Sequence, residues 1–207
     1  MMILVLVITA GCFLCGSLLF SYWIGLLLNI NIRSTGDGNP GAANLWKAAG
    51  YRLGILGVAL DFLKGYVPIV LVTSSGLLSG YSLIPIALAP IAGHVFSPFL
   101  RFNGGKGIAV SFGVWSALTE FRASLCYAVI LAVLFAITKA VARGRKSTSQ
   151  EDGLQTTVGL LLLSVYLLFG GYPAYMLWIW LGNFLLLLWK NKDGIVQISR
   201  DKFRKDR

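Results

Sequence analysis

The chain alternates between long stretches without charge and short polar loops. No charged residue precedes Arg33, and none occurs between Gly65 and Leu100 or between Gly153 and Trp189. As one helix the last stretch would run roughly 55 Å at ~1.5 Å per residue, against a bilayer core of ~30 Å. It must therefore fold back, and Gly170-Gly171-Tyr172-Pro173 supplies the turn. The same logic predicts seven spans: Met2–Leu28, Arg52–Val72, Tyr81–Pro98, Ile108–Thr119, Arg122–Val141, Gly153–Phe169 and Pro173–Trp189. The fourth has only about a dozen residues, so it is tilted or partly re-entrant within the bundle. Five spans, with the short segments at the interface, is the alternative count.

The expectation is an all-α integral membrane protein, a bundle of about seven transmembrane helices, one of them short. Residues 1–190 form a single transmembrane domain and 191–207 a basic cytoplasmic tail. Lys and Arg near span ends orient the bundle. With the N-terminus outside, Arg33, Lys47, Arg52, Arg101 and Lys106 face the cytoplasm. Lys139, Arg143, Arg145, Lys146 and everything from Lys190 onward join them, while Glu120 and Arg122 lie outside. The C-terminus is then cytoplasmic.

Composition agrees with this pattern. Of 207 residues 57% are hydrophobic and only 13% charged, and 18 basic against 8 acidic residues give a formal +10. Soluble domains carry about 25% charge, so a soluble chain and a disordered one are both excluded. A basic total also suits nucleic-acid binding, but not in so apolar a chain, and no nucleic-acid partner is expected. The first span lacks a basic leader and an A-x-A site and is too long for a signal peptide, so it stays attached. Cys12, Cys15 and Cys126 lie in apolar segments, and Cys12-x-x-Cys15 reads as helix packing. The polar loop Arg143–Gln150 reads as a flexible linker.

Three elements carry candidate chemistry. In the first loop, Asn31 to Asn44, Gly36, Gly38 and Gly41 satisfy G-x-G-x-x-G, but no strand precedes them and no βαβ unit surrounds them. The physics still transfers. Glycines let backbone N–H groups close around an anion, a helix starting near Asn44 would point its positive end there, and Arg33 adds a planar cationic fork. A plain turn between spans is the alternative. Asp61 and Lys64, three apart inside a span, share one helix face and line a polar interior. They form a structural ion pair, or Lys64 points to a phosphate and Asp61 orients it. The third element runs from Gly93-His94 through Ser97-Pro98 to Gly104-Gly105-Lys106-Gly107. It is not a Walker A loop, but Lys106 stands among exposed N–H groups as a second phosphate site. His94 is the chain's sole histidine, so no multi-histidine metal site is available.

Together these elements resemble the bacterial acyl-phosphate:glycerol-3-phosphate acyltransferase family, PlsY. The matching residues are Gly16-Ser17, Ser21-Tyr22 with Ile24-Gly25, Ile32-Arg33, and Gly36-x-Gly38-Asn39-Pro40-Gly41-Ala42-x-Asn44. Asp61-x-x-Lys64-Gly65, Gly93-His94-x-Phe96-Ser97-Pro98-Phe99 and Gly104-Gly105-Lys106-Gly107 complete the set. The resemblance implies transfer of a fatty acyl chain from acyl phosphate to the sn-1 hydroxyl of glycerol 3-phosphate. The products would be lysophosphatidic acid and phosphate, in phospholipid synthesis at the bacterial inner membrane, with the site facing the cytoplasm. It implies no metal or other cofactor. Its partners would be the two substrates, membrane lipids and an enzyme that makes acyl phosphate.

In roles, the resemblance makes Arg33, Lys106 and His94 the catalytic group. Substrate binding falls to Ser21, Gly36, Asp37, Gly38, Asn39, Gly41, Ala42, Asn44, Asp61, Lys64, Gly104 and Gly105. The chain departs from the family pattern in four places. Asn31 replaces an Asp before Ile-Arg, Asp37 replaces the Ser of Gly-Ser-Gly-Asn, and Ala43 replaces the Thr of Gly-Ala-Thr-Asn. The C-terminal His-Arg-x-Asn-Ile is here Asn191-Lys192-Asp193-Gly194-Ile195. A carboxylate at 37 repels phosphate unless it turns outward, is neutralised, or acts as a base. The competing classes are a small transporter or lipid-binding membrane protein, with Asp61 and Lys64 on a conduction path, and a catalytically lapsed homologue.

Overall fold

Apolar stretches with no water to satisfy their backbone must close their hydrogen bonds internally, and here they do so as helices. The computed structural model describes residues 1–141 and 147–205. Arg143, Arg145 and Lys146, and with them the first half of the expected linker, lie outside the described residues. Among the described residues nine α-helices follow in order: α1 Met2–Ser17, α2 Phe20–Leu27, α3 Ala42–Ala49, α4 Tyr51–Ser74, α5 Leu83–Val95, α6 Ile108–Thr119, α7 Arg122–Val141, α8 Ser149–Phe169 and α9 Ala174–Lys205. Every expected span corresponds to one of them or to the α1–α2 pair.

Four segments, α4, the Gly80–Leu100 segment around α5, α7 and α8, are long and apolar enough to cross a membrane, or five if α1 and α2 form one span. The first span is not one straight helix: α1 and α2 meet at 41°. Leu18 is extended there (φ −72°, ψ 104°). The freed carbonyls find partners elsewhere. Ser97 Oγ donates to the Ser17 carbonyl at 2.7 Å and Lys64 Nζ to the Leu18 carbonyl at 2.7 Å. The break thus costs no unsatisfied acceptor at those two positions.

Helix pairs approach closely through glycine. A Cβ on Gly16 would run into the Pro90 backbone and one on Gly93 into the Phe13 carbonyl, which locks α1 to α5. Gly65 meets the Val110 carbonyl and Gly113 the Phe62 carbonyl, so α4 and α6 interlock reciprocally. Such small-residue contacts supply packing where lipid removes the hydrophobic drive between helices. α6, with 12 residues, is the short helix expected. A buried polar chain ties it to α9: Trp115 Nε1 donates to Asn183 Oδ1 (3.0 Å), Asn183 Nδ2 to Ser111 Oγ (2.9 Å), and Ser111 Oγ to the Gly107 carbonyl (2.7 Å).

The break at Gly170–Pro173 forms the α8–α9 hairpin. α8 begins earlier than the charge pattern suggests. Thr148 and Glu151 form a reciprocal capping box, so Ser149 and Gln150 are the first turn of a helix and not linker. α9 continues unbroken past Trp189 to Lys205. Cys12, Cys15 and Cys126 are all free thiols.

Candidate active site

The site forms where the first loop, the Gly104–Gly107 turn and the start of α8 converge. Gly36 and Gly38 hold φ of +60° and +73°, conformations that disfavour a Cβ, and they turn the Asp37 side chain towards Lys106. Asp37 Oδ1 accepts from Asn44 Nδ2 at 2.9 Å and from the Asn39 backbone N–H at 3.2 Å. Oδ2 accepts from Ser149 Oγ at 2.6 Å and pairs with Lys106 Nζ at 2.9 Å. The carboxylate at 37 is therefore inward and neutralised. Burial pushes its pKa up, but the hydrogen bonds from Ser149, Lys106 and Asn44 and the Lys106 charge outweigh it, holding the carboxyl well below the usual range.

Asn44 is almost fully buried at the N-terminal end of α3 and also donates to the Asn39 carbonyl at 2.9 Å. The helix expected near Asn44 begins at Ala42, with Gly41 as its N-cap. On the other side, Gly104 and Gly105 lie on the end of α5, their N–H groups donating to the Val95 and His94 carbonyls at 3.0 Å each. A Cβ on Gly104 would enter the His94 carbonyl, and one on Gly105 would enter the His94 ring at Nε2. Only glycine permits this approach. Lys106 is thereby carried into the site, where Nζ also donates to Ser149 Oγ (2.6 Å) and the Ser149 carbonyl (3.0 Å).

Two cavities meet on these residues. One, about 320 Å³, is bounded by Gly38, Asn103, Gly104, Lys190, Asp193 and Gln197, a polar set. The other, about 440 Å³, lies between α4 and α6 and is walled by Val58, Phe62, Ile108 and Phe112, with Gly41 and Ala42 at its head. Asp37, Asn39, Lys106 and Ser149 line both. The arrangement suits one polar and one long apolar ligand, meeting at a lysine.

The remaining expected residues are placed as follows. Gly36 packs against the Asn44 side chain. Arg33 donates to the Asn103 carbonyl at 2.6 Å and stands over the Tyr22 ring, beside the polar cavity but not in its wall. Asp61 and His94 line the apolar cavity, His94 Nδ1 3.8 Å from Asp61 Oδ1 and without a hydrogen-bond partner among the described residues. Lys64 pairs with Asp61 Oδ1 at 2.7 Å. Its ammonium also donates to the Leu18 carbonyl and stands over the Phe20 ring, and it lines neither cavity. Ser21 Oγ donates to Asp61 Oδ2 at 3.3 Å and is equally removed from both. Among the described residues no three His, Cys, Asp or Glu side chains cluster in a way that could hold a metal ion.

Three residues escaped the sequence reading. Ser149 bridges Asp37 and Lys106, and only the Thr148-x-x-Glu151 capping pattern marked its position. Asn103 joins Arg33, through its carbonyl, to Lys190, through Oδ1 at 3.0 Å. The Lys190 ammonium is depressed by burial and then by the charges of Arg33 and Lys106, with Asp37 opposing. Around the polar cavity Lys106, Lys190 and the neighbouring Arg33 thus stand against the carboxylates of Asp37 and Asp193.

The glycerol-3-phosphate acyltransferase family model matches residues 6–201. Glycerol-3-phosphate acyltransferase 1 of Thermotoga maritima is 36% identical over 186 residues, covering 87% of this chain and 90% of that protein. The Thermosipho melanesiensis glycerol-3-phosphate acyltransferase is 33% identical, covering 92% and 86%. The crystal structure of PlsY, an integral membrane glycerol 3-phosphate acyltransferase, in its glycerol 3-phosphate form superposes with a TM-score of 0.82. Its sequence identity is 26%, over 95% of this chain and 92% of that one.

Proposed function

Because this chain belongs to the glycerol-3-phosphate acyltransferase family, we propose that it transfers a fatty acyl group from acyl phosphate to the sn-1 hydroxyl of glycerol 3-phosphate. The observation that carries this reading is the meeting of a polar and an apolar-walled cavity at Lys106. The acyl tail lies between α4 and α6, which places its phosphate head by Gly41, Ala42 and Lys106. Glycerol 3-phosphate enters the polar cavity, where Lys190 and the neighbouring Arg33 offset its charge.

The 1-hydroxyl attacks the acyl carbonyl carbon, so that an ester C–O bond forms and the bond from carbonyl carbon to phosphate oxygen breaks. The hydroxyl proton leaves with the phosphate, and lysophosphatidic acid and hydrogen phosphate result. No nucleophile on the chain is needed. Catalysis is orientation plus stabilisation of the departing phosphate by Lys106 and backbone N–H groups. The His94 ring, with Asp61 on one side, supports the Gly105 turn with its edge. The basic loop ends support a site facing the cytoplasm at a bacterial inner membrane, within reach of an acyl-phosphate-producing enzyme. Purified protein given acyl phosphate and glycerol 3-phosphate should release lysophosphatidic acid and phosphate in equal amounts, and no release overturns the reading. Lys106→Ala should abolish turnover while leaving the protein folded.

A further inference from the structure

We propose that Asp37 is a specificity-determining residue: its carboxylate occupies the seat of a substrate phosphate, and only a more highly charged, multi-oxygen anion displaces it. This rests on the reading that Lys106 and its neighbours receive phosphate.

The donor set is the first support. Two hydrogen-bonding groups converge on each carboxylate oxygen, Asn44 Nδ2 and the Asn39 N–H on one, Lys106 Nζ and Ser149 Oγ on the other. They come from three separate segments of the chain. This is the environment of a bound anion, and the chain itself supplies that anion. All four donors are directed at Asp37, and each would serve a phosphate oxygen equally well.

The location is the second support. Asp37, Asn39, Lys106 and Ser149 line both cavities, so an anion reaching Lys106 through either one also meets the carboxylate. With its oxygens already taking two donors each, Asp37 is not poised to accept a proton from a substrate hydroxyl. A role as general base is therefore the weaker explanation of its inward position.

The backbone is the third. Asp37 stands between Gly36 and Gly38, both in the left-handed region, and its side chain keeps 27% of its surface exposed. Glycine on both sides lets the residue swing while α3, anchored by buried Asn44, stays in place.

Displacement follows charge. A phosphate dianion brings twice the charge of a carboxylate and more acceptor oxygens, into a site where Lys106, Lys190 and the neighbouring Arg33 outnumber the carboxylates of Asp37 and Asp193. A monoanionic carboxylate ligand offers nothing that Asp37 does not. The seat therefore excludes carboxylates and weak anions, at the cost of some phosphate affinity.

The test is equilibrium binding of inorganic phosphate to the full-length protein in detergent, without acyl phosphate, for wild type, Asp37→Asn and Asp37→Ser. Removal of the internal competitor should tighten phosphate binding about tenfold and let acetate compete with phosphate, which it should not do in wild type. Unchanged or weaker phosphate binding in the folded variants overturns the proposal, because Asp37 is then a fixed clamp on Lys106. Failure of both variants to fold overturns it equally, since a displaceable residue is not required for folding. Wild-type turnover is measured alongside. Tighter phosphate binding without lysophosphatidic acid release leaves the seat standing and sinks the acyltransferase reading, and turnover with unaltered phosphate binding does the reverse.

Discussion

Replacing Gly104 by alanine probes how Lys106 is delivered to the site. The added Cβ would overlap the His94 carbonyl oxygen and lie 2.9 Å from that of Val95. Both are backbone atoms of α5, which cannot rotate away. Ordinary contact needs ~3.5 Å, so the turn must lift off α5 by about 1 Å or more. That movement weakens two hydrogen bonds, Gly104 N–H to Val95 and Gly105 N–H to His94. At ~0.5–1.5 kcal/mol each, with ~1–3 kcal/mol for overpacking, the destabilisation is on the order of 2–6 kcal/mol. Lys106, two residues on, moves with the turn, and a displacement of about 1 Å costs roughly 100-fold in turnover. Gly104→Ala should therefore show a kcat/KM for acyl transfer about 100-fold below wild type and an earlier thermal unfolding midpoint in detergent. Activity within about threefold of wild type, at unchanged thermal stability, would refute the claim that close approach to α5 seats Lys106.

Asp61→Ala should destabilise the fold by about 3–5 kcal/mol, seen in thermal unfolding, because it strands the buried Lys64 ammonium. Asn183→Leu leaves Trp115 and Ser111 without their partner in the buried chain. It should cost about 1–3 kcal/mol for each orphaned group, read by the same measurement. The Asp37 carboxyl is depressed in the folded state, so its ionised contacts contribute stability above the unfolded carboxyl value of about 3.9, and that increment fades only as pH falls below it. The stability gap between wild type and Asp37→Asn should be constant from pH 5 to 8 and close only in strong acid. A gap that opens or closes near neutrality would contradict that assignment.

The spans were legible because charge is excluded from lipid, and the chain's charge-free runs end close to where its helices turn. The two glycine loops were legible because glycine and lysine together leave few other uses. The bend after Ser17 was not. No proline marks it, and what stabilises it is Ser97 and Lys64, far away in sequence, donating to the Ser17 and Leu18 carbonyls. For the same reason the Asp61–Lys64 pairing could be read from an i, i+3 spacing, but the direction of the Lys64 ammonium could not. The inward turn of Asp37 depended on Ser149, a serine indistinguishable in sequence from any other in a polar loop until its helix is capped. α9 outran its expected end because charge terminates a membrane span without terminating a helix.

The contact between Asp37 and Ser149 joins residues 112 positions apart. A chain emerging N-terminus first delivers Asp37 and Lys106 to the membrane well before Ser149 is made. Until α8 inserts, the carboxylate and ammonium lack the hydroxyl that bridges them, and the wall formed by Lys190, Asp193 and Gln197 does not yet exist. A half-synthesised chain can therefore insert in lipid without being able to select or confine a phosphate ester. Competence arrives late and all at once, when the last hairpin docks, and a chain truncated before α8 should be embedded but inert.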